Sequence, residues 1–269
     1  MIDRAQEADS FGQTLAGLIR YRALLTNLVV KDLKLKYRGS FLGFIWSLAN
    51  PMLMIVVYTI AFKYILRSAT EGFVFFLMLG LLAWGFFSNS MTMAAGAIVD
   101  NGGLVKSVFF PRAILPVATV LFNLAQYLLT LLVFLPVMLM LYRVPPSWLM
   151  LLCPVFLALQ VLFTIGMALL ISTGTAFFRD IRHFLEVGLA ALFWLTPILY
   201  SFDQVSERLR VPLMFSPMAP FIVAYQKIFF YHQRPDVLTW LLAIAYAAAA
   251  FFAGMAVILR HEDKLSERV

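Results

Sequence analysis

From Ala113 to Leu141, and again from Trp148 to Phe178, the chain runs without a single charged side chain. A bilayer core is crossed by about 20 apolar residues in helical form, because its lack of water obliges every backbone polar group to bond within the segment. Closed barrels meet the same demand with short alternating strands, which these long Leu, Phe, Ala and Met runs do not resemble. With 62% of its residues hydrophobic and only 13% charged, the chain cannot furnish the polar surface of a water-soluble domain. The expected fold is an all-α polytopic membrane protein.

Six spans fit the apolar runs: Leu42–Leu66, Phe73–Ile98, Ala113–Leu141, Trp148–Phe178, Phe184–Tyr200 and Val237–Leu259. Residues 1–41 form the expected cytoplasmic N-terminus, residues 42–259 the transmembrane domain and residues 260–269 a cytoplasmic tail. No small-residue cleavage site precedes the first span, so the N-terminus is expected to be retained. Lys and Arg set the orientation. One side carries fourteen, before Leu42, in Val99–Arg112, in Arg179–His183 and after Leu259, against seven on the other. Both termini are thus expected in the cytoplasm. The net charge of +7 follows from that asymmetry and from anionic lipid headgroups, with no nucleic acid needed.

Residues 201–236 are the topological weak point, because Val211–His232 is long enough to pass for another span. Pro212, Pro217 and Pro220 each remove a backbone donor and disfavour helix at the preceding residue, which divides the stretch into pieces too short to cross. Two short re-entrant or interfacial helices on the outer face are expected. A seventh span is the alternative, and it would strand the basic C-terminus outside.

Over Thr14–Arg38, a turn of about 100° per residue puts Arg20, Asn27, Lys31, Lys34 and Arg38 on one face. Leu15, Leu18, Leu25, Val29 and Leu33 fall opposite, as in a helix lying in the membrane interface. Lys36 points towards the apolar side and would have to snorkel. A plain anchor and a gate or docking surface are both open readings of this segment. Asn50 and Pro51 follow inside the first span, where proline interrupts the helical ladder. The loop Asp100–Arg112 combines an Asn-Gly-Gly turn with a short amphipathic stretch ended by Pro111. That stretch suits docking to a partner or folding back on the bilayer.

Catalytic signals are missing. There is no G-x-x-x-x-G-K-[ST] loop, and His183, His232 and His261 lie in separate segments without metal-ligand spacing. Cys153, the lone cysteine, lies in an apolar run and reads as a packing residue. No catalytic residue, metal site or cofactor of its own is expected for the chain. The spans carry aromatic rings instead, among them Trp46, Tyr58, Phe62, Trp84, Phe87, Phe193 and Trp194. Most rings in membrane helices pack or anchor, yet a sugar's C–H faces can also stack on such surfaces while its hydroxyls find scattered polar partners. Ser88, Asn89, Ser90 and Thr92 would supply such partners.

Several ordered segments carry a family likeness. VVKDLKLKYRGSFLGFIWSLANPMLMIVVYTIAF, with Leu42, Gly43 and Trp46 and the run Asn50–Met54, resembles the entry to span one in permease subunits of bacterial ABC exporters of O-antigen, capsule or teichoic acid. VKSVFFPRAILP (Val105–Pro116), FFRDIRHFLEV (Phe177–Val187), WLTPILYS and SPMAPFIVAYQ resemble later segments of the same family; Ser216 departs from an expected asparagine. The resemblance implies an inner-membrane homodimer bound to two copies of a cytoplasmic ATPase, which would hold ATP and Mg. The cargo it implies is an undecaprenyl-pyrophosphate-linked glycan. By the same resemblance, spans one, two and five form the conduit, Lys36, Arg38, Leu42 and Gly43 the substrate entrance, and Val105, Lys106, Val108, Phe109, Phe110 and Arg112 the ATPase coupling surface. An ABC permease for a small lipid or drug, or a membrane-embedded glycosyl or acyl transferase, are the competing readings. The former would lack the KDLKLKYRG and FLGFIW entry, and the latter would need acidic or histidine residues gathered at one depth.

Overall fold

The computed structural model describes residue 17 and residues 20–38, 45–65, 72–107, 110–202 and 205–268, and among them there is no strand. The helices are α1 (Arg22–Tyr37), α2 (Ile45–Thr59), α3 (Phe73–Ala94), α4 (Gly102–Ser107), α5 (Ile114–Leu141), α6 (Cys153–Phe177), α7 (Ile181–Leu195), α8 (Glu207–Met214), α9 (Ala219–Phe229) and α10 (Val237–Arg268). A π-helical stretch, Ile60–Ile65, prolongs α2, and a 3-10 stretch, Trp148–Leu152, leads into α6.

Among the described residues four stretches are long and apolar enough to cross a membrane: Phe73–Ala94, Ile114–Leu141, Trp148–Phe177 and Val237–Glu262. They match four of the six expected spans. Of the other two, the first is helical throughout its described part, residues 45–65, and the fifth is shorter than expected. The apolar part of α2 and its π-helical continuation covers Leu48–Phe62, and α7 has only 15 residues. The fifth helix begins at Ile181 rather than Phe184 and stops at Leu195. Thr196–Leu199 then continue as irregular, fully buried backbone. Such backbone needs bonding partners from the protein. Gln226 Nε2 donates to the Pro197 carbonyl at 2.9 Å, and Thr196 Oγ1 pairs with Ser216 Oγ at 2.9 Å.

The region from Ser201 to Asp236 holds two short helices, α8 and α9, so the proline argument gave the right number of pieces. Pro217 lies between them and Pro220 occupies the first turn of α9, where its missing N–H is harmless. Pro212, expected to mark a break, lies inside α8. α9 is enclosed by α3, α6 and α10, and Phe221, Ile222, Ala224, Tyr225 and Ile228 are all buried. One polar link ties three of these helices. Tyr225 Oη donates to Gln160 Oε1 at 2.8 Å, and Gln160 Nε2 donates to the Ala83 carbonyl at 3.0 Å.

Lipid tails are as apolar as leucine, so helices in a bilayer associate through close packing, which small residues permit. The tightest seam joins α6 to α10, where Gly166 meets Ala250 and Gly254 backbone to backbone. Ala243 and Ala247 extend the same seam along α10 and are fully buried.

The end of the bundle that bears α1 is tied together by two clusters. Leu28, with Leu24, Leu25 and Val29 beside it, packs on Ala97, Val105, Phe110, Ile114 and Leu115. The apolar side of α1 therefore rests on protein, where an interfacial helix was expected to rest on lipid. The second cluster involves α10, which runs unbroken to Arg268 through the segment expected as a tail. Its Leu265 is fully buried among Ile98, Ala113, Val117 and Leu169.

Candidate functional site

An open cleft of about 670 Å³ lies between α2, α3, α5 and α7, with Lys36 of α1 at its mouth. Asn50, Pro51, Met54 and Tyr58 line it from α2 at intervals that keep one helical face towards it. Trp84, Gly85, Ser88 and Asn89 line it from α3; Phe193 and Trp194 from α7. Phe193 joins the rings of three helices. Its centroid lies 6.1 Å from Tyr58 in a stacked pair, and 5.6 Å from Trp84 and 5.7 Å from Trp194 in edge-on pairs.

Four of the seven expected channel rings thus share one cleft. Two do not. Phe87 is turned into the core, stacked on Phe163 at 5.6 Å, and Phe62 packs on Phe73 at 5.6 Å. The side chain of Trp46 lies outside the described residues. Of the expected polar partners, Ser88 and Asn89 line the cleft. Ser90 is buried against the Phe86 carbonyl, and Thr92 donates to the Ser88 carbonyl.

The third expected span supplies residues that the sequence reading passed over. Asn123, Gln126, Tyr127 and Thr130 of α5 form the wall facing the rings. The signal was present as spacing: Thr119, Asn123, Gln126 and Thr130 recur at helical intervals in an otherwise apolar run. Lys36 Nζ donates to Gln126 Oε1 and lies 6.0 Å from the Phe122 ring centroid. It therefore finds a protein acceptor instead of snorkelling, because α1 packs along α5. Partial desolvation there lowers the pKa of its amine below the ordinary 10.5.

Residues 23–230 match the family model for the ABC-2 type transporter. The chain belongs to the ABC-2 type transporter family. It is 34% identical over 257 residues to the O-antigen export system permease protein RfbA of Myxococcus xanthus, covering 94% of this chain and 97% of that protein. Two RfbA permeases of the same description from Klebsiella pneumoniae are 34% and 33% identical over 208 residues, which is 77% of this chain and 80% of each relative.

In this ABC-2 chain the remaining expected site residues separate into exposed and buried groups. Arg38 is exposed and faces away from the cleft, in a shallow groove along α1 shared with Asn27, Lys31 and Lys34. Leu42, Gly43, Val108 and Phe109 lie outside the described residues. Lys106 is exposed on α4, whereas Val105, Phe110 and Arg112 are buried. Val105 and Phe110 pack with Leu28, Ala97, Ile114 and Leu115. Arg112 Nη1 donates to the Phe110 carbonyl at 3.1 Å, and its backbone N–H donates to Glu262 Oε1 of α10 at 3.1 Å. The same loop is joined to the first turn of α7 by an Arg182–Asp100 ion pair of 2.8 Å. Gly96 leaves room for it, since a Cβ there would lie 2.0 Å from Asp100 Oδ2. Among the described residues no three His, Cys, Asp or Glu side chains gather as a metal site.

Proposed function

We propose that this chain is the membrane subunit of an ATP-driven exporter that moves a lipid-linked polysaccharide of O-antigen type across the bacterial inner membrane, as part of lipopolysaccharide assembly. The observation that carries the reading is the aromatic cleft of Tyr58, Trp84, Phe193 and Trp194 in a chain of ABC-2 descent. Stacking on rings is tolerant of register, so it suits a polymer that slides rather than one held in a single pose. The names of the three relatives support the same cargo class.

In this reading α2 and α7 complete a six-span topology with both termini in the cytoplasm, and α8 and α9 form the re-entrant pair of the outer face. Two copies of the chain pair around the conduit. Two copies of a separate ATPase, carrying ATP and Mg, dock beneath and supply the energy. The exposed Lys106, with Val108 and Phe109, meets the ATPase, while Val105, Phe110 and Arg112 seat the loop. Leu42 and Gly43 admit the headgroup of an undecaprenyl-pyrophosphate-linked glycan, and the cations of Lys36 and Arg38 steer its pyrophosphate.

Cells lacking the chain, or carrying a Walker-inactivated partner ATPase, are expected to accumulate lipid-linked polymer inside and to lose it from the surface. A normal surface glycan after deletion would refute the assignment.

A further inference from the structure

An apolar helix that carries amide and hydroxyl groups pays for their desolvation unless they find partners, so a stripe of them has a use that can be sought in the structure. Two uses are available: bonding to a neighbouring helix, or facing a ligand. The Gln160 amide shows the first, since it joins α3 and α9 to α6 and is fully buried. The stripe on α5 differs. Asn123 Nδ2 donates to the Thr119 carbonyl at 2.9 Å, and Thr130 Oγ1 donates to the Gln126 carbonyl at 2.8 Å, both on α5 itself. Asn123 also reaches Met93 Sδ at 3.4 Å, a weak acceptor. Gln126 is bonded to Lys36 at the mouth. All three side chains face the cleft, across from Tyr58, Phe193 and Trp194.

We propose that Asn123, Gln126 and Thr130 are the hydroxyl-binding wall of a saccharide subsite whose opposite wall is the ring cluster centred on Phe193. The proposal rests on the export reading above and assigns the polar half of recognition to the third span, outside the spans expected to form the conduit. Its chemistry is that of an uncharged or weakly charged pyranose chain. A pyranose offers an apolar C–H face to the rings and, at its edge, hydroxyls that both donate and accept. Amides answer both roles with one side chain, which carboxylates and ammonium groups do not. Among the described residues the only charged side chain lining the cleft is Lys36, at the mouth, so they offer a cationic ligand no counter-charge. The cleft volume of about 670 Å³, mostly apolar with a few convergent polar groups, is the size and character of a small-ligand site.

The test uses the chain assembled with its ATPase in nanodiscs. The probe is polymer released by mild acid from the producing cells, read by quenching of tryptophan fluorescence. Asn123→Leu with Gln126→Leu is expected to raise the half-saturating polymer concentration about thirtyfold, since each lost hydrogen bond weakens binding about fivefold. The double variant is also expected to reduce surface glycan at matched membrane levels. Thr130→Val, nearly isosteric, is expected to weaken binding about threefold and serves if the double variant fails to accumulate. Unchanged half-saturation in these variants overturns the wall assignment. Full export by the double variant, with export abolished by Phe193→Ala, overturns it as well and leaves the export reading standing. A normal surface glycan after deletion of the whole chain instead removes the reading on which the wall rests.

Discussion

The seam between α6 and α10 makes the sharpest quantitative prediction. A methyl group added by Gly166→Ala would lie 2.2 Å from the Ala250 carbonyl carbon and 2.3 Å from its oxygen, whereas ordinary contact begins at 3.4 Å. Backbone cannot swing aside, so the helices must part by about 1.2 Å, and a gap of that size forfeits roughly half of each contact's attraction along the seam. Gly254→Ala meets the same obstacle from the other side, with its Cβ 2.3 Å from the Gly166 oxygen. Overpacking of a tight interior costs about 1–3 kcal/mol, and a backbone clash belongs at the upper end. We expect each variant to lose about 3 kcal/mol, roughly a hundredfold in the folding equilibrium. The assay is reversible unfolding by SDS in mixed micelles. Gly188→Ala is the control, because nothing lies within 4 Å of the added methyl group. It should be neutral or gain up to about 1 kcal/mol from helix propensity. If Gly166→Ala and Gly254→Ala both unfold within about 0.5 kcal/mol of the unaltered chain, the close approach of these helices is refuted.

Tyr225→Phe should destabilise by about 1 kcal/mol in the same titration, and Gln160→Leu by more, since it orphans the buried Tyr225 hydroxyl and also removes the second hydrogen bond to the Ala83 carbonyl. The reverse order would contradict the bonding pattern. Gly96→Ala should dislodge Asp100 from Arg182; the exposed pair is worth about 0.2–1 kcal/mol, so membrane abundance should hold while ATPase-driven glycan export falls. Leu265→Ala should cost about 2–5 kcal/mol locally and loosen the end of α10, read as faster limited proteolysis after Arg260. Cleavage at an unchanged rate would show that this end is held by something other than its buried leucine.

The long spans were legible because apolar length is a one-dimensional property. Ala113–Leu141 and Ile114–Leu141 differ by one residue, and Trp148–Phe178 differs from the observed helical stretch by one. The fifth span was misplaced at both ends for a physical reason. Thr196–Leu199 are as buried as a helix interior although their backbone is irregular, and composition reports burial rather than dihedral angles. The site was legible in kind and only partly in detail. Trp84 and Phe87 sit three positions apart on α3, about 60° apart around the helix, and that rotation separates a cleft ring from a core ring. The polar spacing of α5 was readable too. An interhelical bond and a cleft wall produce the same spacing, however, and only the neighbouring helices distinguish them.

The continuous course of α10 has a mechanical consequence. Its 32 residues span about 48 Å, against about 30 Å of hydrocarbon, so it stands proud of the bilayer as one beam. Locked to α6 by backbone contact, that beam is stiff. The softer member is α2, whose ladder is interrupted at Pro51 and rewound in the π-helical stretch Ile60–Ile65. Of the two, α2, which carries Tyr58 on the wall of the cleft, is the helix that bends more readily.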